Sequence, residues 1–300
     1  MKGVFGKISQ LFGGDRALSA LNRASDLILA GWIIAVVVMI VLPVPPGIID
    51  LLITFNLTAA VGLLMTALYI PSAIHLSMFP ALLLVTTLFR LGVNIATTRQ
   101  VLLHAYAGEI IQAFGDFVVG GNYIVGFVVF LIITIVQFIV VTKGAERVAE
   151  VAARFRLDAM PGKQMAIDAD LRAGVIDSNA AREKRALIQK ESELYGAMDG
   201  AMKFVKGDVI AGMVIAFVNI VGGLTIGVFI HKMTLAQAAH VYTLLSIGDG
   251  LVSQIPSLLI SLTAGIVTTR VSSDRKDGNL GREISSQLLR EPRAVIIAAF

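Results

Sequence analysis

The chain has 300 residues, of which 56% are hydrophobic and 15% are charged, with a formal net charge of +4 and a mean hydropathy of +0.81. Soluble domains carry about 25% charged residues, so this composition excludes an ordinary soluble protein and indicates an integral membrane protein. The absence of cysteine excludes disulfides and thiolate metal sites. The four histidines are scattered along the chain, so we predict no metal site and no cofactor.

Six apolar stretches come close to or exceed the 20 or so residues that a membrane-spanning helix needs. They cover residues 27–42, 49–70, 78–98, 123–141, 205–230 and 241–267. A seventh stretch begins at Pro292 and stops at Phe300 after about two turns, so we expect it to be a truncated span of a longer protein. The predicted fold class is all-α: a polytopic helical membrane protein with six complete spans, the start of a seventh and a helical insert.

Lysine and arginine predict the orientation of these spans. They concentrate before the first span, between spans four and five, and after span six, whereas the opposite side carries only Arg99 and Lys232. An even number of crossings separates the three basic regions, so we expect all three, and the amino terminus, to be cytoplasmic. The predicted segments are an amino-terminal segment 1–26, spans one to four 27–141, a cytoplasmic loop 142–204, spans five and six 205–267, a connector 268–291 and the truncated span 292–300.

The loop 142–204 mixes eleven basic with ten acidic residues. Its first part, GAERVAEVAARF (144–155), has apolar residues at helical spacing, which predicts an amphipathic helix continuing from span four. Pro161 and Gly162 interrupt this pattern. Residues 177–205 predict a second long helix capped by Asp177 or Ser178. Together the two helices predict a helical hairpin on the cytoplasmic surface.

Ionised side chains within the apolar stretches are candidates for a functional site, because each costs at least about 2.5–3.5 kcal/mol in hydrocarbon. Asp208 lies in the first turn of predicted span five. It is either a carboxylate stabilised by the positive end of a helix, with Lys203 and Lys206 in reach, or a protonatable group at a water-filled mouth.

Asp249 lies between Gly248 and Gly250 in predicted span six. Flanking glycines permit either a close backbone contact or a broken helix, which at this depth must face protein or a wet cavity. Arg90 lies at a similar depth in span three, so we hypothesise that Arg90 and Asp249 form an ion pair.

Long parts of the sequence resemble one protein family, the major export-gate protein of type III secretion systems, both flagellar and virulence-associated (FlhA/SctV). The resemblance covers roughly residues 27–300. It is carried by RLGVNIATTRQVLL (90–103), by residues 114–174, by YGAMDGAMKFVKGDVIAG (195–212) and by YTLLSIGDGLVSQIPSLLISLTAGIVTTRV (242–271). Residues 104–111 (HAYAGEII) and 189–208 look more like the virulence-type members.

The resemblance implies a protein of the bacterial inner membrane that couples the proton motive force to the export of unfolded substrate proteins. It also implies a nine-fold homo-oligomeric ring, contacts with other membrane subunits of the export apparatus, and cooperation with a cytoplasmic ATPase complex. Substrates and chaperones would bind a carboxy-terminal domain beyond Phe300.

The resemblance further implies which charged residues are functional. Those in or beside the membrane are Arg90, Lys203, Asp208 and Asp249, and those in the loop are Arg147, Arg154 and Asp158. On this basis Asp208 becomes the best candidate for a proton-responsive group.

Two other functions remain open: a proton- or ion-coupled small-solute transporter or channel, and a purely structural ring component. The loop 142–204 and the absence of an internal repeat argue against the transporter. An enzyme is not expected, because the chain has no nucleotide-binding glycine loop and no nucleophile–base grouping. The basic loops are expected to face anionic lipid rather than nucleic acid.

Overall fold

The computed structural model describes residues 14–270, 280–281 and 285–286, with side chains from residue 26 onward except 140–142. These residues fold as helices joined by short connections, and no strand occurs among them. In chain order the helices are α1 (Gly14–Val41), α2 (Pro46–Tyr69), α3 (Phe79–His104), α4 (Glu109–Val119), α5 (Tyr123–Val136), α6 (Lys143–Asp158), α7 (Met160–Arg172), α8 (Ser178–Phe229) and α9 (Leu235–Thr269). A short 3-10 turn, Ala73–Leu76, precedes α3, and a π-helical segment, Gln137–Thr142, joins α5 to α6.

Several of these helices are apolar enough to span a membrane, as the composition predicts. Five qualify by length and composition: Pro46–Tyr69, Phe79–His104, the helical run Tyr123–Arg172, Ser178–Phe229 and Leu235–Thr269. The first predicted span corresponds to a shorter apolar helix, Asp26–Val41. The number of six complete spans therefore stays a prediction. The predicted amino-terminal segment lies partly, and the connector largely, outside the described residues, and the truncated span lies wholly outside them.

Helix α9 lies at the centre of the bundle and packs against α8, α4 and α2, with further contacts to α3, α5 and α6. Every residue from Tyr242 to Val252 is buried. This run of three turns includes all faces of the helix, whereas a helix at the surface of a bundle buries only one face. A capping box between Thr234 and Gln237 begins the helix. After its end, Arg270 donates a hydrogen bond of 2.9 Å to the Ala67 carbonyl of α2. The start of the central helix is thus closed by its own capping box, and the residue after its end is bonded to α2.

The glycine-flanked segment around Asp249 forms a close contact rather than a broken helix. Helix α9 is continuous through Gly248 and Gly250, and it also contains Pro256. Gly248 packs against the main-chain carbonyl of Ile111 in α4, where an added methyl group would overlap the oxygen. Of the two alternatives that the sequence left open at this point, the close backbone approach is the one found.

Helix α4 was not predicted from the sequence. With 11 residues it is too short to cross a bilayer, and it packs its Ile111, Gly115 and Val119 face against the bundle. The Asp50 carboxylate of α2 caps its first turn, accepting hydrogen bonds from the main-chain N–H groups of Glu109 (3.0 Å) and Ile110 (3.2 Å). This cap satisfies donors that the start of a helix leaves free.

The polar insert, residues 142–204, contains three helices where the sequence predicted two. Helix α6 ends at Asp158, shortly before the predicted interruption at Pro161 and Gly162. Pro161 then stands in the first turn of a further helix, α7, because proline is well tolerated there. Asp177 caps α8 by accepting from the Ala180 N–H, one of the two predicted caps. Helices α6 and α7 both pack against α8.

Helix α8 runs without interruption from the polar insert into the apolar bundle. It has 52 residues, which at 1.5 Å per residue makes it about 78 Å long, against a hydrocarbon core of about 30 Å. Ion pairs hold its first half: the Glu191 carboxylate binds Arg156 of α6 at 2.6 Å and Lys163 of α7 at 2.9 Å. The predicted boundary between loop and span at 204–205 therefore lies inside one continuous helix.

We predict that the contact between α4 and α9 is tight enough to reject one methyl group. Gly248→Ala should lower the free energy of unfolding of the full-length protein by about 1–3 kcal/mol, because the new side chain overlaps the Ile111 carbonyl. Gly265→Ala is the matched control in the same helix, since nothing lies within 4 Å of its added methyl group. Thermal unfolding in detergent measures the difference, and equal midpoints for the two variants would contradict the packing.

Candidate functional site

One face of α3 carries polar side chains into the centre of the bundle. Arg90, Asn94 and Thr97 recur at helical spacing and are all buried. Arg90 is only 1% exposed and heads the largest fully buried side chains among the described residues. A buried guanidinium is very costly unless it is paired, so its partner defines the site.

That partner is Asp208. The Arg90 Nη2 atom donates to the Asp208 Oδ2 atom in a buried ion pair that joins α3 to α8. The side chains are only 1% and 4% exposed. Asp208 lies in the middle of the continuous helix α8, so the expectation that it occupies a first helical turn and is stabilised by a helix N-terminus is wrong. Arg90, brought from a different helix, supplies the compensating charge.

The hypothesised pair between Arg90 and Asp249 is also wrong. Asp249 instead accepts a hydrogen bond of 3.0 Å from the Asn219 amide of α8, and the Thr97 hydroxyl lies beside its carboxylate. Asn219 is fully buried and Asp249 is 5% exposed. The two aspartates therefore sit in separate polar clusters along the α8–α9 contact, one with a charged partner and one with neutral partners.

A small polar cavity of about 20 Å³ adjoins the Arg90–Asp208 pair. Four helices contribute polar side chains to its wall: Arg90 and Asn94 from α3, Thr134 from α5, Asp208 from α8, and Gln254 and Ser257 from α9. The volume is enough for about one water molecule. Such a cavity keeps a protonatable carboxylate next to a fixed positive charge and away from lipid.

The sequence did not predict that α5 and the π-helical segment contribute to this site. Gln137, the first residue of that segment, is 4% exposed and donates to the Gln254 main-chain carbonyl at 3.1 Å. The Gln254 amide in turn donates to the Thr134 hydroxyl at 2.7 Å. The only available signal was the presence of polar side chains in otherwise apolar stretches. For Gln254, a polar residue in an apolar stretch, that signal predicts a role in helix packing rather than in a site.

Lys203 and Lys206 do not reach Asp208, contrary to expectation. The Lys203 ammonium donates to Asp199, one turn earlier in α8, at 2.9 Å, and this hydrogen bond together with the negative charge raises the pKa of Lys203. Lys206 forms an ion pair of 2.9 Å with Glu146 of α6. Both lysines thus belong to the junction between the bundle and the polar insert.

Arg147, Arg154 and Asp158 lie on α6, away from the buried pair. Their separations of seven and four residues place them along one side of the helix, and all three are exposed. Arg147 forms an exposed ion pair with Glu150 at 2.8 Å. The structure therefore divides the seven candidate residues into two buried clusters, one junction residue and one exposed surface. In the part of the chain that the structure describes, no group of three metal-ligating side chains occurs.

Comparison with known proteins places the chain in a family. Residues 36–300 match the FHIPEP family. The chain is 59% identical over 280 residues to "Low calcium response locus protein D" of Yersinia pestis, covering 93% of this chain and 40% of that protein. It is 56% identical over 285 residues to "Harpin secretion protein HrpI" of Erwinia amylovora (94% and 40%) and 53% identical over 285 residues to "Invasion protein InvA" of Salmonella typhimurium (94% and 41%).

No solved structure matches the chain. The chain spans about 40% of the length of these relatives. The chain belongs to the FHIPEP family, the export-gate family of type III secretion, and groups with its virulence-type members.

Proposed function

We propose that this chain is the membrane part of a type III secretion export gate and that it couples the proton motive force to the export of unfolded proteins. The names of its relatives support a role in secretion: besides HrpI, one is called "Secretion system apparatus protein SsaV". The apolar helices and the distribution of basic residues support a place in the bacterial inner membrane with a cytoplasmic amino terminus.

The buried Arg90–Asp208 pair is the observation that carries this proposal. Two opposite charges in a low-dielectric interior are tolerated only while both are present, because removal of one leaves the other unpaired at a cost of about 3–5 kcal/mol. Protonation of Asp208 has the same effect as such a removal. Protonation of Asp208 would therefore leave the charge of Arg90 uncompensated and favour a different packing of the helices around it.

Helix α8 carries this change toward the polar insert. Asp208 lies on the same continuous helix as Lys206, which binds Glu146, and Glu191, which binds α6 and α7. A displacement of α8 near Asp208 would therefore alter the position of α6. In this proposal Asp249 is a second protonatable group on the α8–α9 contact, Lys203 acts at the junction, and Arg147, Arg154 and Asp158 present a surface to cytoplasmic components.

The partners in this proposal are those that the resemblance to the export-gate family implies. We propose a homo-oligomeric ring, with a nonamer as the expected size, around the other membrane subunits of the export apparatus and in contact with a cytoplasmic ATPase complex. Secreted substrates and their chaperones would bind the part of the full-length protein that lies beyond residue 300. An enzymatic activity of this chain is not proposed.

We predict that Asp208→Asn blocks proton transfer, because an amide cannot take up the proton. In liposomes containing the full-length protein, the rate at which a pH gradient dissipates should fall by about a hundredfold, as for loss of a positioned proton-transfer group. Secretion in cells should stop. Asp116→Asn is the control, since Asp116 is an exposed carboxylate on α4 outside the cavity. Wild-type proton flux and secretion in Asp208→Asn would overturn the proposal in favour of a structural ring component.

We further predict that replacing both members of the ion pair restores the stability of the protein but not its function in secretion. Arg90→Met alone should destabilise the full-length protein by about 3–5 kcal/mol, whereas Arg90→Met with Asp208→Leu should recover most of this loss, because no charge is left buried. Unfolding in detergent measures the stability, and export of a reporter substrate measures the function. Secretion should stay absent in the double variant. A double variant that is both stable and secreting would mean that the pair serves only to hold the helices together.

A further inference from the structure

Four buried polar atoms without a protein hydrogen-bond partner belong to residues that line the cavity beside the ion pair. They are Arg90 Nη1, Asp208 Oδ1, Gln254 Oε1 and Ser257 Oγ. A buried polar atom left unpaired costs about 1–3 kcal/mol, and natural proteins rarely leave several together. Their grouping around one cavity indicates a ligand that pairs with all of them.

The hydrogen-bonding character of these atoms identifies the ligand. Arg90 Nη1 is a donor, the Ser257 hydroxyl can donate, and Asp208 Oδ1 and Gln254 Oε1 are acceptors. A water molecule has two donors and two acceptor lone pairs, which match this set. The volume of about 20 Å³ also fits one water. A metal cation fits poorly, because the fixed charge of Arg90 would repel it.

The orientation of Gln254 is set by its neighbours. Its Nε2 donates to Thr134 at 2.7 Å, which leaves the amide oxygen as its free acceptor. The main-chain carbonyl of Gln254 accepts from Gln137 at 3.1 Å, so this turn of α9 is tied to the chain around the end of α5 at two points. These contacts hold the Gln254 amide oxygen in place as an acceptor for a ligand in the cavity.

We propose that the cavity binds one ordered water that bridges the Arg90–Asp208 pair to Gln254 and Ser257. If the proposed proton coupling is correct, this water is also the group through which a proton reaches or leaves the Asp208 carboxylate. That role rests on the proposed function, whereas the binding of the water itself does not.

The test uses three variants of the full-length protein: Gln254→Met, Ser257→Ala and the double variant that carries both changes. Each is compared with the control variant Ser261→Ala. Ser261 is the matched control: it lies one turn beyond Ser257 in α9, its hydroxyl is also buried and unpartnered, and it does not line the cavity. We expect Gln254→Met and Ser257→Ala each to slow pH-gradient dissipation in liposomes about fivefold, the equivalent of one hydrogen bond. Because both residues hold the same water, the double variant should be no slower than the slower single variant.

A structural readout accompanies the rates. A cryo-electron microscopy map of the full-length protein that resolves ordered water should show one water in contact with the four atoms, and this density should be lost in Gln254→Met. No density there, in a map that resolves water elsewhere, would overturn the proposal. So would a rate in Ser261→Ala as slow as that in Ser257→Ala, because the loss of any buried hydroxyl from α9 would then explain the effect.

The outcomes distinguish this inference from the proposed function. Slow dissipation in Asp208→Asn with wild-type rates in Gln254→Met and Ser257→Ala would reject the relay role of the water and leave the proposed function intact. Wild-type dissipation in Asp208→Asn would reject the proposed function. The presence or absence of water density in the cavity would then be the test of the water site.

Discussion

The burial of one arginine constrains much of this structure. Arg90 lies on an otherwise largely apolar helix and is 1% exposed, so its charge must be balanced inside the bundle. Asp208 provides the opposite charge from α8, and the polar wall of the cavity adds side chains from α5 and α9. Four helices therefore contribute polar side chains around this one guanidinium.

The same requirement explains the close packing around α9. A polar centre is protected from lipid only if the surrounding helices approach one another closely, and small residues allow this approach. Gly248 contacts the backbone of α4, while Gly223 and Gly227 of α8 pack against Tyr242 of α9. The short helix α4, held by the Asp50 cap, completes the packing around the central helix. Glycine placement and charge burial are thus two parts of one arrangement.

The sequence predicted the all-helical class, the approximate positions of the apolar helices, the helical interruption near Pro161 and, as one of two candidates, the cap at Asp177. These features follow from local composition and spacing. The partner of Arg90 does not, because depth along a helix can be counted from the sequence whereas rotation about its axis is set by packing. Asp208 and Asp249 lie on different neighbouring helices, and only the packed bundle decides which of them faces Arg90.

Two further features were beyond the sequence for identifiable reasons. The continuity of α8 has no signature in the sequence, because the change from polar to apolar residues near 205 predicts a boundary between two segments, whereas the helix runs through it. Helix α4 was missed because 11 residues are too few to span a bilayer, and its cap comes from Asp50, which lies 59 residues away from Glu109 in the chain. Long-range contacts of this kind leave no local pattern.

The central claim is that Asp208, although buried beside Arg90, exchanges protons with the surroundings. Infrared difference spectroscopy of the full-length protein in lipid, recorded between high and low pH, tests this directly, because a protonated carboxyl group has its own carbonyl absorption. The account predicts an absorption that appears at low pH, disappears in Asp208→Asn and persists in Asp116→Asn. A spectrum in which Asp208→Asn removes no carboxyl absorption at any pH would contradict it.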